Sequence, residues 1–223
     1  MDLEFRPSDA NVRSLFAARW QLKSEAVLSA CSFNLEIERV GESIAFFEDV
    51  DEAALLGVNW GAEHPGIPWP STSPPAELVW SAEAEIVARW SARRAATPGC
   101  LVVVRQPLFR PDHAAQRDWI ATVLRALDGD GEPVPGLLTA NFFASNDGAF
   151  VLNFAEWTSA RAHVEALSRR RYGRHGSIGS SALWRATREH PAVTPEHEVR
   201  RYARLSHAAA RATRATDIAL ERS

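Results

Sequence analysis

Residues 147–167 read DGAFVLNFAEWTSARAHVEAL, and this stretch decides how the chain folds. A turn sequence at 146–148 (Asn-Asp-Gly) opens it. Side chains then alternate over 150–155, which predicts a strand with side chains on both faces. Within it, a polar Asn153 and a large Trp157 stand four residues apart near the strand end. The stretch therefore predicts a hairpin strand that carries two unusual side chains.

A short helix is predicted directly after this strand. Thr158 or Ser159 is suited to cap it, and 160–167 has amphipathic spacing. Two interpretations of the strand end stay open on these residues alone. Asn153 is either a site residue or a polar residue that faces solvent, and Trp157 is either a site wall or a side chain that staples the helix entry onto the core.

The overall composition is that of an ordinary globular protein. The 223 residues suffice for one domain or two small ones, and the formal charge of −3 argues against a nucleic-acid-binding surface. No run of about 18 apolar residues occurs, so no transmembrane helix is expected. The acidic, polar start MDLEFRPSD is unlike a signal peptide, and Cys31 and Cys100 are interpreted as buried free thiols. We therefore expect a cytoplasmic protein that contacts neither membrane nor nucleic acid.

Neither a metal site nor a phosphate loop is indicated by the motifs. The histidines lack metal-ligand spacing, and 173–179 has glycines at a G-x-x-G-x-x-G spacing outside any strand–helix unit of the dinucleotide-binding type. Two histidines are candidates for a general base near the predicted site, namely His113 at a helix start and His163 in the helix after Trp157.

The N-terminal half is predicted to mix helices and strands. Apolar spacing over 11–25 predicts a helix, and strict alternation over 31–40 followed by 43–48 predicts an antiparallel hairpin. Asp49 or Asp51 is interpreted as the cap of a short helix that ends at Leu56. The proline-rich segment 59–75 is a long loop, either a lid over a site or a connector. A further strand is predicted over 83–90.

The C-terminal half has clearer signals. A β-branched strand at 101–104 precedes a helix over 113–127 that Asp112 can cap. A strand is predicted over 136–144 before the turn into the strand at 150–155. The predictions for the rest are a loop over 172–181, a short strand or helical turn over 182–188, a strand over 198–205 and a tail.

The two halves resemble each other in sequence, which is explained most simply by a diverged duplication. The matching segments are 3–7 with 107–111, 46–49 with 153–156, and 84–90 with 196–202. The fold class is therefore α+β, with two ferredoxin-like units in tandem. The domains are 1–95 and 99–207, followed by a tail over 208–223.

A ferredoxin-like unit leaves one face of its sheet bare, and that face must be buried. Two such sheets packed face to face form a dimeric-type α+β barrel. Both sheets can come from one chain. The sequence therefore predicts either a monomeric pseudo-dimer or a homodimer of such chains.

The pattern of Asn153, three residues and Trp157 after a hairpin resembles the antibiotic biosynthesis monooxygenase family. The order of elements over 99–205 agrees with that family well, and 3–90 agrees weakly. The resemblance implies the dimeric α+β barrel fold. It also implies oxidation of a polycyclic phenol or anthrone to a quinone with O₂, without metal, haem or another cofactor.

The resemblance further implies catalytic roles for Asn153, Trp157 and Arg185. In the N-terminal half, Phe46 takes the place of Asn153 and Val50 that of Trp157, so one site per chain is expected.

Chemistry agrees with these roles, because an amide and an indole N–H can bind a substrate oxygen that develops charge. Arg105 is a second candidate for neutralising the anion, beside the arginine that the resemblance points to. Candidates for binding the substrate are Trp119, Phe142, Phe150, Phe154, His113 and His163.

Three alternatives remain beside the cofactor-independent oxygenase. The first is a ring-opening, C–C-cleaving oxygenase of the angucycline type, which takes reduced flavin as a diffusible co-substrate from a flavin reductase partner. The second is a polyketide cyclase on the same barrel. The third is a binding protein without catalysis. The small-molecule partners of the main hypothesis are an aromatic polyketide and O₂.

Overall fold

The computed structural model describes residues 14–22, 44–60, 76–92, 96–129, 134–168 and 181–204. The described chain falls into two compact units, a C-terminal unit that holds Glu83–Tyr202 and an N-terminal unit that holds Leu15–Ala82. The following predictions lie outside the described residues, wholly or for the most part: the segment 3–7, the strand over 31–40 with Cys31, the loop 59–75, the loop 172–181 and the tail over 208–223.

The C-terminal unit is an α+β unit built on an antiparallel sheet in the order β8-β5-β7-β6-β4. From β5 to β8 the chain follows the ferredoxin-like course, strand–helix–strand–strand–helix–strand, with one extra short helix. This confirms the predicted elements of the C-terminal half. The strands are β4 (Ala76–Ser91), β5 (Cys100–Pro107), β6 (Leu137–Ser145), β7 (Phe150–Trp157) and β8 (Glu198–Arg204).

The β6–β7 hairpin closes through the predicted turn. Gly148 has a φ of 75°, a left-handed conformation that favours glycine, and its N–H donates to Ser145 O at 3.0 Å. The Asp147 carboxylate accepts the Ala149 N–H at 3.0 Å. Hydrogen bonds from the Ser145 hydroxyl and from Ala149 lower the pKa of Asp147. The turn therefore fixes the register of β6 against β7, which in turn positions the site.

The first helix, α1 (His113–Gly129), begins at the predicted cap. The Asp112 carboxylate accepts the N–H groups of Ala114 at 2.9 Å and Ala115 at 3.0 Å. These two otherwise unpaired donors at the helix start are thereby satisfied. The buried face of α1 carries Trp119, Ile120, Val123 and Leu127.

Two shorter helices complete the layer. The helix α2 (Ala160–Leu167) is capped by Ser159, whose hydroxyl accepts the Ala162 N–H at 3.0 Å. The helix α3 (Ala182–Arg188) resolves the open prediction for this segment in favour of a helical turn. Because α1 packs on β6, β7 and α3, and α2 packs on β5 and β7, the helices cover one face of the sheet.

The N-terminal unit contains β1 (Ser14–Leu22), β2 (Ile44–Asp49) and β3 (Ala54–Trp60), in the antiparallel order β1-β3-β2. The helix predicted over 11–25 is wrong, because its centre is the strand β1. Six of the nine side chains in β1 are buried, on both faces of the strand. Because β1 is buried on both faces, its apolar and polar residues do not alternate along the strand, so its sequence does not show the period of two.

The short helix predicted to end at Leu56 is also wrong. Asp49 accepts the N–H groups of Asp51 at 2.9 Å and Glu52 at 3.2 Å, so it stabilises a turn between β2 and β3. The same side-chain chemistry serves helix caps and tight turns, and the sequence alone does not separate them.

The repeat alignment needs a correction as well. In each set of three strands, the strand that comes last in the chain lies between the other two: β3 lies between β1 and β2, and β7 lies between β5 and β6. By position in the sheet, β3 therefore corresponds to β7. The sequence match of 46–49 with 153–156 had instead equated β2 with β7. Trp60 ends β3 opposite Leu15, as Trp157 ends β7 opposite Cys100.

Equating these two tryptophans places Leu56 at the position of Asn153. By position in the sheet, Leu56 of β3 thus corresponds to Asn153 of β7, whereas the sequence match pairs Asn153 with Phe46.

Candidate functional site

Strand β7 presents two different faces. Val151, Ala155 and Trp157 belong to the buried cluster that includes the inner face of α1, so they lie on the helix-facing side of the sheet. Asn153 shares their parity in the strand and lies on the same side. The helix-facing side of β7 therefore carries both residues that the sequence singled out.

Three cross-strand rows define this wall. Each row contains one residue from β6, one from β7 and one from β5, paired directly across the sheet. The rows are Phe142–Asn153–Val104, Ala140–Ala155–Val102 and Leu137–Trp157–Cys100. The middle row is made of small side chains, and it separates an aromatic residue in the first row from an aromatic residue in the last.

Two polar atoms on this wall are buried without a hydrogen-bond partner among the described residues, namely Asn153 Oδ1 and Trp157 Nε1. Trp157 is only 4% exposed. A buried polar atom left unpaired costs about 1–3 kcal/mol. By contrast, the buried indole of Trp119 donates to Thr187 O at 3.0 Å. Within the described residues, the wall therefore has one acceptor and one donor that could bind another molecule.

His163 packs against Trp157. The two ring centroids are 4.9 Å apart with an interplanar angle of 73°, an edge-to-face arrangement, and His163 is buried. Because α2 begins three residues after Trp157, its first turn brings His163 back over the indole. His163 therefore restricts the orientation of the Trp157 ring.

Backbone contacts also fix the corner after Trp157. Gly99 N–H donates to Trp157 O at 2.9 Å, and Thr158 N–H donates to Gly136 O at 2.8 Å. Gly136 has a φ of 84°, and a Cβ atom there would come within 2.7 Å of the Ala162 methyl. The corner therefore requires glycine at 136, and it holds the indole side chain in place.

Two of the predicted substrate-binding aromatics lie on the same side of the sheet as Asn153. Phe142 is fully buried and pairs directly with Asn153 across β6 and β7. Trp119 reaches the same cluster from α1. Together with His163, they lie in the layer that contains Trp157.

Two other predicted aromatics face away from this layer. Phe154 packs edge-on against Phe143 with centroids 5.5 Å apart. Phe150 lies beneath Arg105, whose Cζ is 4.4 Å from the ring centroid. Both alternate with Asn153 along β7, so the structure does not bring them into the same site. Arg105 is on this opposite side too, and the sheet separates it from Asn153.

Arg185 and His113 are exposed in the structure. Arg185 lies on α3, and no described ion pair involves it. His113 stands at the start of α1, with its Nδ1 3.0 Å from Gln116 Oε1, beside the turn at Gly148. The turn at Gly148 lies at the start of β7, whereas Trp157 lies at its end. The described geometry therefore groups neither residue with Asn153 and Trp157.

Charge is distributed unequally between the two sides of the sheet. On the helix-facing side, β5 and β7 present no charged side chain over their described lengths. On the opposite side, Glu198 pairs directly with Arg105 and binds Arg200 at 3.3 Å, and Glu156 accepts the Thr139 hydroxyl at 2.8 Å. On β8, Arg201 pairs directly with Val102 and so lies on the helix-facing side, where it places one cation beside the row of Ala140 and Ala155.

The structure confirms the buried free thiol predicted for Cys100 and pairs this residue with Trp157, whereas the sequence did not single out Ala140 and Ala155 of the middle row. Only the pairing of strands places these residues next to Asn153 and Trp157, and that pairing is not legible in the sequence. Across the described part of the chain, no cluster of three or more His, Cys, Asp or Glu side chains is arranged to bind a metal. None of the described helices has the length and apolarity needed to span a membrane.

Comparison with known proteins gives evidence on the fold. An anthrone oxidase-like protein superposes with a TM-score of 0.63 at 12% identity, covering 87% of this chain and 92% of the other. The two chains share a fold. A candidate monooxygenase from Fusobacterium nucleatum subsp. nucleatum follows with a TM-score of 0.51 at 9% identity, covering 87% and 93%.

A major regulator of staphylococcal pathogenesis is similar to the same degree, with a TM-score of 0.51, 8% identity and coverage of 86% and 98%. The fold therefore occurs in proteins described as enzymes and in one described as a regulator. No protein-family model and no curated protein matches this sequence.

Proposed function

We propose that the C-terminal unit binds a flat polycyclic phenol or anthrone between its sheet and its helices and oxidises it with O₂ to a quinone. The observation that carries the proposal is the pair of buried, unpartnered atoms on one wall, Asn153 Oδ1 and Trp157 Nε1. A hydroxyaromatic ligand would satisfy both the acceptor and the donor. The fold shared with an anthrone oxidase-like protein agrees with this choice.

The chemistry follows from what these groups do. The Trp157 N–H donates to the substrate oxygen on which negative charge develops, and Asn153 Oδ1 accepts a substrate O–H. The activated ring carbon passes one electron to O₂, and the radical pair combines to a hydroperoxide at that carbon. Loss of water then leaves a carbonyl, so a CH₂ group and O₂ become C=O and H₂O. This proposal requires no metal, haem or other cofactor.

We further propose that the two units are diverged copies, a fused two-domain form of the dimeric-type α+β barrel. Support comes from the common order of the strands, β1-β3-β2 in one unit and β5-β7-β6 in the other. Leu56 at the position of Asn153 supports a single site per chain. The chain is then a pseudo-dimer, and an aromatic polyketide is its natural class of substrate.

The test is O₂ uptake by the full chain with 1,8-dihydroxyanthrone, compared with the same protein under argon. The expected product is the corresponding anthraquinone, formed only in air and faster than in a matched sample of an N153A/W157F double variant, which corrects for spontaneous oxidation. Equal rates for the two proteins would refute the proposal.

Added arms of the same assay separate the alternatives. Turnover that appears only with reduced flavin and a flavin reductase would indicate the flavin-using oxygenase. Conversion of a linear polyketide mimic under argon would indicate a cyclase. Binding with no turnover in any arm would indicate a binding protein.

A further inference from the structure

We propose that Arg201 binds a carboxylate group of the ligand at the β8 margin of the site, so that the site prefers an acidic hydroxyaromatic to a neutral one. The inference rests on the proposed function, because it names a recognition group for the same ligand. It concerns a residue that neither the motif nor the site prediction includes.

Arg201 lies on the helix-facing side of the sheet. Its direct partner on β5 is Val102, whose partner on β7 is Ala155, and both partners belong to the buried cluster beneath the helices. Val199, two residues earlier on β8, packs against the same cluster. Since side chains two residues apart in a strand share a face, the Arg201 side chain is on that face too.

The charge of Arg201 stands out on this side of the sheet. Over the described lengths of β5, β6, β7 and β8, no other charged residue faces the helices. On the opposite side the charges pair within the sheet, as Arg200 does with Glu198 at 3.3 Å. A guanidinium beside an uncharged, apolar wall attracts an anion more strongly than one in open water, because the wall lowers the local dielectric.

The wall is most accessible where β8 adjoins β5. In the row Phe142–Asn153–Val104–Val199, Phe142 is fully buried, whereas the three residues toward β8 are half-buried. The helices lie over the other strands, α1 on β6 and β7 and α2 on β5 and β7. Arg201 is itself half-buried and stands beside this accessible stretch. A ligand group therefore reaches it without displacing the buried core.

The distance across the sheet decides which part of the ligand Arg201 meets. Neighbouring strands are about 4.8 Å apart, so the Cα atoms of Arg201 and Ala155 are about 10 Å apart, in a row between those of Asn153 and Trp157. A guanidinium there contacts a substituent of the ligand and not the oxygen bound by Asn153 or Trp157. Its paired N–H donors match the two oxygens of a carboxylate, whereas a phenol offers one oxygen. The group it recognises is therefore a carboxylate at the ligand periphery.

The experiment compares two ligands that differ in one substituent, namely 1,8-dihydroxyanthraquinone with either a 3-carboxylate or a 3-hydroxymethyl group. Both are already quinones, so calorimetry with the full chain at pH 7 measures binding apart from turnover. We expect the wild-type protein to bind the carboxylate about tenfold more tightly, the scale of one charge-assisted hydrogen bond. Arg201→Gln should abolish this preference while binding of the neutral ligand changes little. Arg201→Met is a second neutral variant, which keeps the test open if the first does not fold.

Arg200→Gln is the matched control. It removes the same net charge from the neighbouring position of β8, and Arg200 pairs with Val103 on the opposite side of the sheet, so the preference should remain. A preference that is absent in the wild type, that survives in Arg201→Gln, or that is lost equally in Arg200→Gln would overturn the inference. An equal loss of both ligands in Arg201→Gln would assign the guanidinium to the shared phenols or to folding, and would overturn it as well.

These outcomes are distinguishable from failure of the proposed function. A carboxylate preference that depends on Arg201, in a protein without O₂ uptake, would support the role of Arg201 and refute the oxygenase. O₂ uptake by a protein that binds the two ligands equally would overturn the role of Arg201 alone. Failure of the wild-type protein to bind either ligand would overturn it too.

Discussion

Asn153 is the residue whose replacement tests the chemistry most sharply. Asn153→Ala removes the acceptor of a substrate O–H, so we expect turnover to fall about tenfold, the effect of one hydrogen bond worth about 1.4 kcal/mol. Steady-state O₂ uptake measures this. Asn141→Ala is the matched control, because Asn141 is a buried amide whose Nδ2 donates to Phe154 O at 3.4 Å and whose position alternates with Phe142. Comparable losses in both variants would remove the special role of Asn153.

Trp157 and Trp119 are expected to respond in opposite ways to replacement by phenylalanine. Trp119→Phe breaks a hydrogen bond to Thr187 O and should cost about 1 kcal/mol in urea unfolding beyond the change in apolar area. Trp157→Phe breaks no hydrogen bond within the described chain. The free energy of unfolding of this variant should therefore fall less than that of Trp119→Phe, while its binding of 1,8-dihydroxyanthrone weakens several-fold. The reverse pattern would show that the indole of Trp157 serves folding alone.

The sequence predicts that Asn153 and Trp157 stand on one strand just before a helix, and the structure confirms that strand and that helix, while a role of the two residues in binding stays a prediction. Phe150 and Phe154 are predicted to bind the substrate, yet their side chains lie on the other side of β7 from Asn153. Successive side chains of a strand point to opposite faces, so the sequence spacing alone places these two rings on the other face from Asn153. Ala140 was not recognisable, since only strand pairing brings it beside Ala155.

Among the elements, α1 depends on the carboxylate that begins it. The helix N–H groups of Ala115 and Ala114 lower the pKa of Asp112. A lowered pKa in the folded state means that the carboxylate stabilises the fold above its unfolded pKa, about 3.9, and that this stabilisation is lost as the pH falls through the folded pKa.

We therefore expect Asp112→Asn to lower the melting temperature relative to wild type at pH 7, with a smaller difference at pH 3. Because asparagine also caps helices, Asp112→Ala should be less stable than Asp112→Asn at both pH values. A wild-type advantage that persists unchanged at pH 3 would contradict a role for the charge.

The turn between β2 and β3 depends on a buried ion pair. The side chain of Asp49 is fully buried and lies 3.7 Å from the Arg19 guanidinium, while Glu52, with 40% of its side chain exposed, lies 3.1 Å from it. Removing one partner of a buried pair costs about 3–5 kcal/mol. Asp49→Ala should therefore lower the free energy of unfolding by about that amount, and Glu52→Ala by less than about 1 kcal/mol. Chemical denaturation of both variants checks this, and equal effects would contradict it.

The same turn explains why element prediction failed in the N-terminal half but succeeded in the C-terminal half. In β1 both faces are buried, so periodicity carries no signal, and Asp49 offers the same hydrogen bonds whether it begins a helix or a turn. In the C-terminal half, β7 alternates and Asp112 precedes a clear helical pattern. Since β7 is buried on both faces as well, what distinguishes it is the Asn-Asp-Gly turn before it and the cap residue Ser159 after it, which mark its two ends in the sequence.

On the scale of the whole molecule, we expect one binding site per chain. The position of Asn153 is taken by Leu56 in the N-terminal unit, where Arg19 pairs directly with Leu56 across β1 and β3. Leucine offers no hydrogen bond to a ligand. Calorimetric titration with 1,8-dihydroxyanthrone under argon should therefore give a stoichiometry of one. A stoichiometry of two would show that both units bind, and would contradict the assignment.

The sequence of the two halves predicts a duplication, and position in the sheet gives a residue correspondence that differs from that of the sequence match. The match of 46–49 with 153–156 was based on similar side chains, whereas position in the sheet equates β3 with β7. Diverged copies keep strand order longer than residue identity, because strand order is set by the path of the whole chain. The structure confirms the predicted α+β class and the ferredoxin-like course from β5 to β8, whereas the tandem duplication stays a proposal.

The most direct test of the central claim is the indole ¹H–¹⁵N NMR spectrum of the protein titrated with 1,8-dihydroxyanthrone under argon. The chain has eight tryptophans, and the Trp157→Phe and Trp119→Phe variants assign the two signals that matter. The account predicts that the Trp157 signal moves strongly downfield as its N–H gains an acceptor, while the Trp119 N–H, already bonded to Thr187, moves little. A Trp157 signal that stays in place while the ligand binds would contradict it.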